Sequence, residues 1–238
     1  MTGGATTPAE SLAASAAARP RDLALSAVAG VAVVLVIIGA AIALFFNPVW
    51  VGFEQGRSAV DLWTGWDAAT IRSVTDSVIA EVFLGPGTFA QSNGGVPVFT
   101  PPEAAHMADV RRVVIAFGAV DIVALIALVT AWVVDRRRIA FWRGVTLGSA
   151  GLAAGVMLAG AFLALFFDAA FEIFHRVFFA AGSYTFDPRV DRLVQLFPES
   201  FWTETSIALA IAILAFAVVV AILGRSRRRA AEKRSGPA

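Results

Sequence analysis

Residues 113–134 read VVIAFGAVDIVALIALVTAWVV, and Asp135-Arg136-Arg137-Arg138 follow at once. An apolar stretch of this length matches the ~20 residues that carry a helix across a ~30 Å hydrocarbon core. The arginines after it have the form of an inner-side stop. Three further runs resemble it: Leu23–Phe46, Val145–Phe167 and Ser206–Leu223. The expected fold is therefore an all-α membrane protein, a bundle of four transmembrane helices. Composition agrees. Of 238 residues, 58% are hydrophobic and only 16% charged, against about a quarter charged in an ordinary soluble domain. The first run is too long for a signal-peptide core and is followed by Asn47-Pro48, so it reads as a retained anchor.

The net charge is only +1, but its distribution is polar. Arg19 and Arg21 precede the first run. Arg136, Arg137, Arg138 and Arg143 fill the loop between the second and third. Arg225, Arg227, Arg228, Arg229, Lys233 and Arg234 follow the fourth. These segments fall in one compartment if the spans alternate, so both termini are expected in the cytoplasm. The basic end reads as a topology signal and lipid attraction, with no nucleic-acid role. The expected organisation is a disordered cytoplasmic tail over 1–21, a membrane domain over 22–224 and a basic cytoplasmic tail over 225–238. Two extracytoplasmic loops, about 47–109 and 168–204, hold most of the acidic residues. The first is too long to be structureless. Ile71, Val74, Val78 and Val82 recur there at helical spacing, the mark of a short amphipathic helix. Val190, Leu193, Val194 and Phe197 suggest another before Pro198 opens the fourth span.

Several chemistries are excluded. Without cysteine there is no disulfide, thiolate nucleophile or cysteine-bound metal. No phosphate-binding loop, dinucleotide fingerprint or G-x-S-x-G elbow occurs, and no cofactor is expected.

The chain has two histidines, His106 and His175, both in outer segments close to a span. Thr100-Pro101-Pro102-Glu103 is a capping-box pattern, so a helix should start near Pro101 and run unbroken into the second span. His106 falls in its second turn. Glu103 lies one turn before it and Asp109 one turn after. No stop signal follows Phe167, so the third helix is expected to continue outward, with Asp168, Glu172 and His175 on one face. A carboxylate bonded to one ring nitrogen would raise the basicity of the other, which suits a general base. Arg111, Arg112 and Arg176 are candidates for holding a developing oxyanion. Glu172 and Asp109 could also complete a two-histidine metal site, but no H-E-x-x-H spacing supports it, and none is assigned. Asp121 lies deep in the second span, roughly 20 Å from His106 at 1.5 Å per residue. It reads equally as a functional acid or as a paired helix contact. Gly144, Gly148, Gly151 and Gly155 form a small-residue stripe on the third span that allows close helix approach.

Two motifs carry a resemblance. One is Glu103-Ala-Ala-His106-Met107-Ala-Asp109-Val110-Arg111. The other is Phe174-His175-x-x-Phe178-Phe179, then Phe186-Asp187-Pro188, Asp191-x-Leu193 and Leu196-Phe197-Pro198-x-x-Phe201-Trp202. In motif position, loop order and span count the chain resembles the bacterial lipoprotein intramolecular transacylases, the Lit family. The resemblance implies a plasma-membrane enzyme whose substrates are diacylglyceryl-lipoproteins. Such an enzyme moves an ester-linked acyl chain from the glycerol to the N-terminal cysteine amine, giving the N-acyl lyso form. It also implies that His106 and His175 match the family's histidines, one deprotonating the amine and the other, or an arginine, stabilising the oxyanion. The competing reading is a non-enzymatic membrane protein that binds lipid or a protein partner through its outer loops. It expects histidines that are far apart or enclosed.

Overall fold

The computed structural model describes residues 8–234, and most of them are helical. Four helices are long and apolar enough to cross a membrane: Pro20–Phe45, Pro101–Asp135, Ile139–Phe162 and Glu199–Arg234. They belong to α1 (Pro8–Phe45), α5 (Pro101–Asp135), α6 (Ile139–Leu165) and α9 (Glu199–Arg234). Between α1 and α5 come α2 (Pro48–Arg57), α3 (Val60–Thr64) and α4 (Ala68–Phe83). A two-stranded antiparallel hairpin follows, β1 (Ser92–Asn93) and β2 (Val96–Pro97). Between α6 and α9 come α7 (Phe167–Phe178) and α8 (Arg192–Leu196). The chain is thus a four-span helical membrane protein, as its hydrophobic runs imply.

Two segments depart from the sequence expectation. α1 already begins at Pro8, inside the stretch assigned to the tail; this segment is alanine-rich, and alanine is the strongest helix former. The first seven residues and the last four of the basic tail lie outside the described residues. The third helix does not run on through Asp168. It ends at Leu165, Phe166 adopts φ −139°, ψ 51°, and α7 starts afresh.

The chain divides into two compact units. One is made of the described parts of residues 1–37, 121–154 and 215–238. Here α1 and α6 touch backbone to backbone. A Cβ on Gly144 or Gly148 would collide with the carbonyls of Ser26 and Gly30. Gly151 and Gly155, from the same stripe, have open space instead. At the arginine-rich end, Arg138 bridges Asp22 at 3.1 Å and Asp135 at 2.7 Å, and the Trp142 indole donates to the Arg136 carbonyl at 2.7 Å. Asp121 is half-buried, and its Oδ1 has no hydrogen-bond partner among the described residues. Ile122, Val123 and Ile126 beside it are exposed, as residues facing lipid would be.

The second unit comprises residues 38–120 and 155–214 and holds both histidines. Its core is the stripe foreseen on α4, Ile71, Val74, Val78 and Val82, packed with Phe89, Phe99, Met107, Leu193 and Leu196. Caps set the helix starts. Asn47 accepts the Val49 and Trp50 amides ahead of α2, and Asp67 accepts the Thr70 amide at 2.7 Å ahead of α4. Polar side chains span the core. The Gln55 amide donates to Thr75 Oγ1 and to the Leu196 carbonyl, each at 3.0 Å. On α2, Arg57 bridges Glu204 at 2.6 Å.

Candidate active site

α5 starts at Pro101, as the capping pattern requires, and its first turns present the EAAHMADVR motif. Glu103 is fully buried. Its Oε2 accepts the Thr100 amide and hydroxyl, both at 2.7 Å, while Oε1 accepts the Leu193 backbone N–H at 2.6 Å. With these bonds it joins the start of α5 to α8, and it makes no hydrogen bond to His106. Arg111, two turns on, donates to the carbonyls of Glu81 at 3.2 Å and Gly85 at 3.0 Å, where α4 ends. Glu81 itself accepts the Gly87 and Thr88 amides at 2.8 Å. Burial works against its charge. These hydrogen bonds outweigh burial and hold the carboxyl below its ordinary value.

The two histidines come together. Their ring centroids lie 6.1 Å apart with planes 22° from parallel, and each residue is 7% exposed. His106 packs on Phe179 at 4.8 Å and Phe186 at 5.6 Å. Its Nδ1 is buried with no hydrogen-bond partner among the described residues.

His175 is oriented differently from the sequence expectation. Its Nδ1 lies 2.7 Å from the carbonyl oxygen of Phe171, one turn back on α7. A carbonyl oxygen only accepts, so Nδ1 carries the proton and, in the neutral ring, Nε2 holds the free lone pair. A backbone carbonyl therefore sets the tautomer, where a flanking carboxylate was expected. The carboxylates are engaged elsewhere: Asp109 pairs with Arg112, and Glu172 accepts from Arg176 Nε at 2.7 Å. Arg111, Arg112 and Arg176 are all committed to partners other than the imidazoles.

Reasoning from spacing also missed Tyr184, the chain's only tyrosine. Its ring lies 5.0 Å from that of His175, and its hydroxyl donates to Glu172 Oε1 at 3.2 Å. A lone tyrosine just after the Gly182-Ser183 turn was the available signal. α7 is two-sided as well. His175 is buried, while Ile173, Phe174, Val177 and Phe178 are exposed.

The four-span protein thus brings its two histidines close together, each of them buried, beside an exposed apolar face of α7. The family described as lipoprotein intramolecular transacylase Lit matches residues 27–202, and the chain belongs to that family. A solved structure of the membrane-integral lipoprotein intramolecular transacylase Lit from Bacillus cereus superposes with a TM-score of 0.75 at 18% identity, covering 91% of this chain and 99% of that one. A histidine-to-arginine variant of that protein superposes with a TM-score of 0.72 at 17% identity, covering 97% and 100%. These likenesses show the fold. An uncharacterized protein of Aquifex aeolicus (strain VF5) is 26% identical over 136 residues, 57% of this chain. The match spans 60% of that relative's length.

Proposed function

We propose that the protein is an intramolecular acyltransferase of diacylglyceryl-lipoproteins in the bacterial plasma membrane, with the histidine pair on the outer side and both termini in the cytoplasm. The reaction moves an ester-linked acyl chain to the N-terminal cysteine amine and leaves an N-acyl lyso-lipoprotein. The observation that carries this reading is the approach of His106 and His175 to 6.1 Å, with the His175 tautomer set by Phe171.

His175 Nε2 is the base. An α-amine has an ordinary pKa near 8, so at neutral pH most of it is ammonium, and one proton goes to solvent before the free amine attacks. As the amine nitrogen bonds to the ester carbonyl carbon, its proton passes to Nε2. The oxyanion that forms is stabilised by an N–H of His106, the group opposite His175. When the C–O bond to glycerol breaks, the imidazolium of His175 returns the proton to the departing oxygen. Amide and free hydroxyl result, and no acyl-enzyme forms. Donor and acceptor are tethered in one substrate, so holding them in place removes much of the barrier. The exposed apolar side of α7 suits a substrate whose acyl chains stay in the bilayer.

A test uses the purified protein in bicelles with a synthetic diacylglyceryl-cysteinyl peptide. A free amine should give the N-acyl lyso peptide, and a peptide acetylated at that amine should stay unchanged. Tight binding of the peptide without conversion would favour the non-enzymatic reading.

A further inference from the structure

We propose that Tyr184 is a positioning residue of the histidine pair, acting through its hydroxyl bond to Glu172 to hold the 184–186 segment across both imidazoles. This rests on the reading of His106 and His175 as the acid–base pair.

The segment leaves α7 through a tight turn. Gly182 adopts φ +82°, a conformation open to glycine. Ser183 Oγ donates to the Ala180 carbonyl at 2.8 Å. Tyr184 covers His175 at 5.0 Å and Phe186 covers His106 at 5.6 Å. One short segment thus touches both rings. At its far end, the Asp187 backbone N–H donates to Asp191 Oδ2 at 2.7 Å, ahead of α8. At its near end, the side-chain bond back to α7 is the Tyr184 hydroxyl on Glu172, whose same oxygen accepts from Arg176. Glu172 lies one turn before His175. The clasp therefore joins the helix that carries the base to the segment that covers it. Without it, the ring over His175 is free to leave, and the imidazole can turn away from the Phe171 carbonyl.

The experiment combines a kinetic cycle with nitrogen-15 NMR of labelled histidines; only two are present to assign. Tyr184→Phe keeps the ring and removes the hydroxyl bond. It should lower kcat about fivefold to tenfold, the scale of one ordinary hydrogen bond, with KM within about twofold of wild type. Glu172→Ala should do the same, and Glu172→Gln, which keeps an acceptor oxygen, should retain more of kcat. The double variant should be no slower than either single one. In the NMR arm, wild-type His175 should show the single tautomer with Nδ1 protonated, and Tyr184→Phe should show a mixture. If Tyr184→Phe fails to fold, Glu172→Ala reads the same bond. Wild-type kcat with an unchanged tautomer, or losses that add in the double variant, would overturn the proposal. A wild-type protein that makes no N-acyl product would overturn the transacylase reading instead, and the tautomer measurement would still decide the role of Tyr184.

Discussion

Glu103 and Leu193 are joined across ninety residues of sequence: the buried carboxylate on α5 accepts the backbone N–H that opens α8 at 2.6 Å. Glu103→Ala would leave that amide and Thr100 without their partner, at a cost of about 3 kcal/mol. Glu103→Gln keeps one acceptor oxygen and should cost less. Thermal unfolding in detergent reads both. Alanine and glutamine variants of equal, wild-type stability would contradict this role.

The two pairs of glycines on α6 should behave oppositely. Gly144→Ala and Gly148→Ala put a methyl group into the backbone of α1 and should lower thermal stability in detergent sharply. Gly151→Ala and Gly155→Ala meet open space and should be neutral or stabilising by up to about 1 kcal/mol, the helix preference of alanine over glycine. Equal losses at all four positions would mean that the close α1–α6 approach is wrong.

Glu54 gives a pH dependence. Burial raises its carboxyl above the ordinary value, and the neighbouring Glu204 carboxyl adds to this, while Arg57 opposes it. The folded state therefore holds this proton more tightly than the unfolded chain does. The sign is opposite to that of the usual surface carboxylate. Stability should fall as pH rises from the unfolded value through the folded one, and the penalty is complete above it. Glu54→Gln should unfold at a higher temperature than wild type at pH 7, with the gap closing toward pH 4. A variant less stable at pH 7 would show that the Arg57 contact outweighs burial.

These features differ in how far spacing alone exposes them. The four spans, the start of α5 and the α4 stripe were legible because each depends on local signals: a run of apolar residues, a capping pattern, a period of 3.6. The break at Phe166 was not, because no glycine or proline marks it. Glu103, Asp109 and Arg111 were foreseen as companions of the histidines because they lie within one or two turns of His106. Two of their partners come from distant chain segments, Leu193 for Glu103 and the end of α4 for Arg111, and helical spacing carries no trace of them. Both histidines were legible as outer-segment residues close to a span, but their approach depends on how α5 and α7 pack. The bond from His175 to the Phe171 carbonyl is made by the backbone, and no residue type in the sequence marks it.

The proposed orientation rests on the arginines alone and has its own test. The chain has no cysteine, so single cysteines report directly. In intact cells, Asn93→Cys on the hairpin should react with a membrane-impermeant maleimide, and Arg137→Cys between α5 and α6 should react only after lysis. The reverse pattern would place the histidines on the cytoplasmic side and remove lipoproteins as their substrate.

The most direct measurement is mass spectrometry of a lipoprotein N-terminal peptide from a host that makes only the diacylglyceryl form, expressing this protein or its His106→Ala or His175→Ala variant. The account predicts an N-acyl lyso peptide with the wild-type chain and unchanged diacylglyceryl peptide with either variant. Unchanged peptide with the wild-type protein correctly inserted, or full conversion by either variant, would contradict it.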